Sequence, residues 1–162
     1  MGLFSFFKHK GDKLLTKKNA TAVKTEETQQ MYDEILRKQK EVLLTGVVDS
    51  LGIEIENKSL NYQDDTVTIY GQVHSQSDKE KLILALGNVS GVASVDDRIS
   101  VTNPEPEAIF YTVKRGDTLG KIAKKQYGNA SKYTVIFEAN TPMLKDPNKI
   151  FVGQVLRIPA ID

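Results

Sequence analysis

The chain has 162 residues, 22 Lys and Arg against 21 Asp and Glu, a net charge of +1, and is 40% hydrophobic and 27% charged. This is an ordinary soluble composition with room for one large or two small domains, and it lacks the basic excess of a nucleic-acid binder or of a partner for a strongly anionic membrane. With no cysteine in the chain, disulfides, thiolate chemistry and cysteine metal sites are excluded.

Leu3, Phe4, Phe6 and Phe7 crowd the first seven residues, where termini are usually polar and frayed. Leu3 to Lys10 reads as two helical turns closed by Gly11 at the position after the last turn. As an export signal this stub fails: its apolar run is short, Ser5 interrupts it, and Lys8, His9 and Lys10 follow rather than precede it. It is too short to span a bilayer, and Phe6 stands where myristoylation requires Ser or Thr. The expectation is a cytoplasmic chain that keeps its stub and packs it on its own core in preference to a membrane.

Thr16 to Thr28 is polar. Tyr32, Ile35, Leu36, Leu43, Val47, Val48 and Leu51 then recur at helical spacing, with Glu26 and Glu27 suited to a first turn, Gly46 as a weak point and Gly52 as a stop. Leu60 and Tyr62, an Asp64-Asp65 turn, and Val67, Ile69 and Val73 predict a hairpin. Ser77 and Glu80 form the pattern of a capping box, leading a helix with Leu82, Ile83 and Leu86 toward the core and ending at Gly87-Asn88. Val92 to Val101 is a third strand candidate, although Asp96-Asp97 by itself reads as a solvated turn. The two prolines of residues 102–108 predict an extended linker. Beyond it come a strand at Phe110 to Lys114, a helix at Thr118 to Tyr127 capped by Asp117 and stopped by Gly128, a helix at about Ser131 to Ala139, and a closing strand at Gln154 to Ile158.

The segments YTVKRGDTLGKIAKKQYG and IFEANTPMLKDPNKIFVGQVLRIP resemble the LysM family. The resemblance implies a βααβ fold, often used to bind N-acetylglucosamine-containing glycans. TVTIYGQV, the helix after Ser77 and LGNVSGVASVDDRISV resemble a BON domain, a module often discussed as binding phospholipids. The expected class is therefore α+β: residues 1–101 as an N-terminal helix plus a BON domain (a small sheet with packed helices), 102–108 as linker, and 109–160 as a LysM domain. A short MGLFSFF start, one BON domain and one LysM domain together resemble the small cytosolic potassium-binding proteins of bacteria. GLFSFFKHKGDKL and LGNVSGVASVDD carry that likeness beyond the generic modules, while Lys17 to Gly52 is longer and more helical than the likeness implies.

A site for this large monovalent ion needs no charged motif, because neutral carbonyls can replace its hydration shell, whereas calcium sites concentrate carboxylates. The last carbonyls of a helix lack intrahelical partners and sit at the negative pole of its dipole. If the stub docks beside Gly87, two such ends converge. The expected K+ ligands are the backbone carbonyls of Phe7, Lys10 and Asp12 from the stub and of Gly87, Val89 and Val92 from the GNVSGV turn. Without the family likeness, the stub reads as a docked terminal helix and the glycines as a helix stop and a turn. His9 and His74 read as surface residues.

No nucleophile elbow, Walker loop or dinucleotide fingerprint is present, so the expectation is a binding protein and not an enzyme. The competing expectations are an envelope protein that holds peptidoglycan through its LysM domain and a membrane-associated scaffold acting through its BON domain. No nucleic-acid partner and no membrane span are expected. A protein or glycan partner of the LysM domain stays open. A monomer is expected because no long exposed apolar repeat remains after the core is assigned.

Overall fold

A computed structural model describes residues 2–6 and 26–161. A four-stranded sheet has the order β1-β4-β3-β2, with β1 Gly2–Ser5, β2 Glu56–Gln63, β3 Thr66–Ser75 and β4 Ser94–Asn103. β2 and β3 form the expected antiparallel hairpin, and Asp64 and Asp65 both take positive φ at its turn. Adjacent Asp residues tolerate this left-handed backbone, which matches the strand twist. β3 and β4 run parallel, and helix α2, Gln76–Gly87, crosses between them. Val67, Ile69 and Val73 of β3 and Val95 and Ile99 of β4 point into one core with Leu82, Ile83, Leu84 and Leu86 of α2.

The stub differs from the expected helix: Gly2–Ser5 is an edge strand, antiparallel to β4 from Gly2↔Asp97 to Ser5↔Ser94. A lone two-turn helix is marginal in water, and here the open edge of β4 offers backbone partners. The apolar residues also suit period two, since Phe4 is half-buried and Phe6 is buried while Leu3 faces outward. Residues 7–25, including the expected stop at Gly11, lie outside the described residues.

Helix α1, Glu26–Ser50, ends just before the expected stop at Gly52 and continues through Gly46. Its core face is narrower than the expected stripe. Leu44 and Val48 are buried and Leu51 is partly buried, but Tyr32, Ile35, Leu36 and Leu43 are exposed. The N-cap of α2 is Ser75, not Ser77. Its hydroxyl accepts from the Asp78 amide at 3.1 Å and donates to the Asp78 carboxylate at 2.7 Å. β3 runs straight into this cap, so the helix begins earlier and Glu80 turns inward. The Asp96-Asp97 pair is not a solvated turn either. Asp97 takes an inward position of β4, is 1% exposed, and pairs with Lys79 at 2.8 Å. A buried carboxylate requires such a partner.

The second unit is a two-stranded antiparallel sheet of β5 Ile109–Thr112 and β6 Val155–Ile158, with α3 Leu119–Tyr127, a 3-10 turn Ala130–Lys132 and α4 Tyr133–Ala139 between them. Thr118, not Asp117, caps α3 by accepting from the Lys121 amide at 3.2 Å. Asp117 instead closes the preceding turn, accepting from the Lys114 amide and the Tyr111 hydroxyl at 2.8 Å each. The Lys114 amide holds its carboxyl below the ordinary value. Leu119, Ile122, Ala123, Ile136, Leu156 and Ile158 form this unit's own core.

Candidate metal centre

Every residue of α2 from Leu82 to Gly87 is buried, because three elements enclose its C-terminal half: the sheet, the stub and the second unit. The stub contributes Phe6, 5% exposed, whose amide donates to Ala93 O at 2.8 Å. Its ring lies on Gly87 so closely that a Cβ there would stand 1.9 Å from Phe6 Cζ. Gly87 is the last residue of α2 and keeps helical backbone. Its role is therefore the absence of a side chain and not a left-handed cap. The docking expected of the stub's phenylalanines is realised by Phe6, with Phe4 against Phe110 at 5.4 Å between ring centres.

The turn after α2 is rich in carbonyl groups. Leu86 O accepts from the Asn88 and Val89 amides, and Val89 O accepts from the Val92 amide at 3.1 Å. Gly91 takes φ +84. Two side chains from elsewhere hold its outer half: Lys40 of α1 donates to Ser90 O, and Tyr62 of β2 donates to Gly91 O at 2.7 Å. The Lys40 ammonium also stands 5.9 Å from the centre of the Tyr62 ring. Of the expected ligands, Gly87, Val89 and Val92 share this turn, at the negative end of α2. Phe7, Lys10 and Asp12 lie outside the described residues. Among the described residues no three His, Cys, Asp or Glu side chains stand together as a metal cluster. The chemistry on offer at the turn is that of neutral main-chain oxygens.

Tyr62 gives this turn a signature at high pH. Burial, then the hydrogen bond to Asp65, pushes its phenol up to about 12. Only the protonated phenol has a hydrogen to donate, and that one hydrogen is shared between Gly91 O at 2.7 Å and the Asp65 carboxylate at 3.0 Å. A raised folded value means its contribution is complete below the ordinary value of 10.0 and is lost as pH climbs toward about 12. Tyr62→Phe is expected to remove one late step from the phenolate absorbance titration and to cost about 1 kcal/mol at neutral pH. An unchanged titration would refute the assignment.

The second unit meets α2 next to Gly87. The Asn88 side chain donates to Val155 O and accepts from the Val155 amide, both at 3.1 Å, so it pairs with β6 as a strand backbone would. One helical face away, Glu80 accepts from Arg157 Nε, from the Ala108 amide at 2.9 Å and from Gln76 at 3.0 Å. Sequence reasoning missed Asn88, Glu80, Lys40 and Tyr62 as supports. For Asp97 and Glu80 a signal existed: each carboxylate occupies an inward position of an otherwise apolar periodicity, Val95-Asp97-Ile99 and Glu80-Ile83-Leu84.

Family models of the BON domain and the LysM domain match residues 52–103 and 111–159. Potassium binding protein Kbp of Escherichia coli is 43% identical over 159 residues, covering 98% of this chain and 99% of that protein. The chain belongs to the Kbp family. Other similarities are partial. Esterase Rv1288 of Mycobacterium tuberculosis is 47% identical over 53 residues, 33% of this chain and 11% of that protein. The endolysin of Bacillus phage B103 is 29% identical over 104 residues, 63% of this chain and 36% of that protein. Of these three alignments, the one with Kbp spans nearly the whole of both chains. In the Kbp family context, the contact of Phe6 with Gly87 joins the stub to the domain it precedes.

Proposed function

We propose that this protein is a cytoplasmic potassium-binding protein, a sensor or buffer, that captures the ion with main-chain carbonyls and changes conformation as it does so. The near-full-length identity to a protein named for binding potassium carries this reading. The local chemistry supports it. Helix α2 directs its terminal carbonyls and negative pole toward the 87–92 turn. Neutral oxygens suit a singly charged ion that needs its hydration shell replaced but no compensating carboxylates. The ligands we assign are the carbonyls of Phe7, Lys10 and Asp12 with those of Gly87, Val89 and Val92. The role of the stub is then to close the site: the ion binds only the docked arrangement and so draws the population toward it.

Calorimetric titration in potassium-free buffer tests the proposal. KCl is expected to give saturable heat at one ion per chain and a smaller scattering radius, with NaCl much weaker. No heat with no change of radius would overturn it.

A second reading has one observation in its favour. A groove on the second unit is lined by Asp117, Thr118, Leu119, Tyr133, Asn148 and Ile150. It is suited to a chain of sugars. Retention of the protein on isolated peptidoglycan, lost on Tyr133→Ala, would support that reading.

A further inference from the structure

The segment that follows α2 is held at every residue from 90 to 94. Ser90 O accepts from the Lys40 ammonium and Gly91 O from the Tyr62 hydroxyl. The Val92 amide donates to Val89 O, and the Ala93 and Ser94 amides both donate to Asp65 O, at 2.7 and 3.3 Å. Ala93 O in turn accepts from the Phe6 amide. Apart from the Val92 bond, these restraints come from α1, β2, the hairpin turn and the stub. The two side chains that hold consecutive carbonyls are themselves linked, because the carboxylate of Glu41, next to Lys40 in α1, accepts from the Tyr62 amide at 2.9 Å. Gly91 lies close under both: a Cβ there would stand 3.2 Å from Lys40 Nζ and 3.9 Å from the Tyr62 hydroxyl.

We propose that Lys40 and Tyr62 are specificity-determining residues of the ion site: by fixing the Ser90 and Gly91 carbonyls from outside, they keep the 87–92 turn at the spacing of a large monovalent ion and stop it closing on sodium. This rests on the potassium-binding reading above. Neither side chain is a ligand; both act by positioning, as residues behind a metal's ligands do. Val89 and Val92, whose carbonyls are assigned as ligands, bracket the tethered pair, so a shift of Ser90 and Gly91 is carried to them. Sodium and potassium have the same charge and differ in size, so a cage whose oxygens hold their spacing disfavours the smaller ion. A turn free to contract would follow it. The Lys40 charge does not confuse the comparison, since it acts alike on both ions and cancels in the ratio of their affinities.

Lys40→Met and Tyr62→Phe each remove one donor with little change of shape. Calorimetric titration of the full chain with KCl, and with NaCl alone and in competition, gives the potassium-to-sodium ratio of affinities. That ratio is expected to fall about threefold in each variant and about tenfold in the double variant. A second readout needs no ion. In potassium-free buffer the Val92, Ala93 and Ser94 amides should exchange faster in the double variant, while those of Leu82, Ile83 and Leu84 in α2 keep the parent's rates. An unchanged ratio in variants that still bind potassium, whatever their affinity, would overturn this inference and leave the potassium reading standing. So would exchange at the turn that matches the parent's. No potassium heat in the parent itself would overturn both.

Discussion

Gly87→Ala is expected to weaken potassium binding by one to two orders of magnitude while leaving the protein folded. Alanine is the better helix former by about 1 kcal/mol, and Gly87 has helical backbone at the end of α2, so the helix itself loses nothing. The added methyl, however, would stand 1.9 Å from Phe6 Cζ and 2.2 Å from Cε1 and Cε2. Two atoms cannot share that space, and α2 is fixed by its core contacts, so the ring must leave. Withdrawing a buried Phe costs roughly 2–3 kcal/mol, which is the free energy holding the stub over the turn. If the stub completes the ion site, binding pays that cost again, a loss of about 30- to 150-fold in affinity. Calorimetry gives the affinity and thermal unfolding gives the stability. The double variant Phe6→Ala with Gly87→Ala separates mechanism from accident: with the ring gone the methyl has room, so the second substitution should add almost nothing to the first. Equal affinity in Gly87→Ala and the parent would mean that stub docking and ion binding are unrelated.

Much of the fold was legible because local rules agreed with the tertiary structure. The hairpin followed from alternation plus Asp64-Asp65, and the end of α1 from Gly52. The stub was misread as a helix because its short apolar cluster fits period two and period 3.6 alike. What decided it was the vacant edge of β4, a partner far away in sequence, from Gly2↔Asp97 to Ser5↔Ser94. The exposure of much of the apolar stripe of α1 was not legible for a related reason. Helical spacing reveals that a face is apolar, not what covers it, and in α1 two apolar faces lie on opposite sides. At the candidate site, the stub and the 87–92 turn were legible as neighbours. Lys40 and Tyr62 were not, since each reaches the turn from a different element and neither carries a local motif.

The same limit hid the junction between the two units. Asn88 follows Gly87 directly, and one face of a single helix end holds both the stub and the second unit. A change at the 87–92 turn therefore has a short mechanical route to β6. Val155 belongs to the first unit's core although its chain position is in the second, so the two units do not separate without exposing apolar surface.

Arg157→Met is expected to undock the second unit and, through Asn88, to weaken potassium binding although Arg157 is not among the proposed ligands. Glu80 is 3% exposed and Arg157 8%. Removing the guanidinium leaves a buried carboxylate with only the Ala108 amide and the Gln76 side chain to stabilise it, and breaking such a pair typically costs 3–5 kcal/mol. The cheapest relief is for water to reach Glu80, which requires β6 to lift from α2. The single denaturant transition of the parent should therefore split in two, the earlier belonging to the second unit. The double variant Glu80→Gln with Arg157→Met removes the orphaned charge, keeps a carbonyl for the Ala108 amide, and should recover most of the loss. Coupling between sites is reciprocal: if docking strengthens ion binding, potassium must strengthen docking. In the parent, potassium should then raise the unfolding midpoint of both units together; in Arg157→Met it should raise only the later transition. Potassium that stabilises both transitions of Arg157→Met as it does the parent would show that the ion site and the Glu80–Arg157 junction act independently.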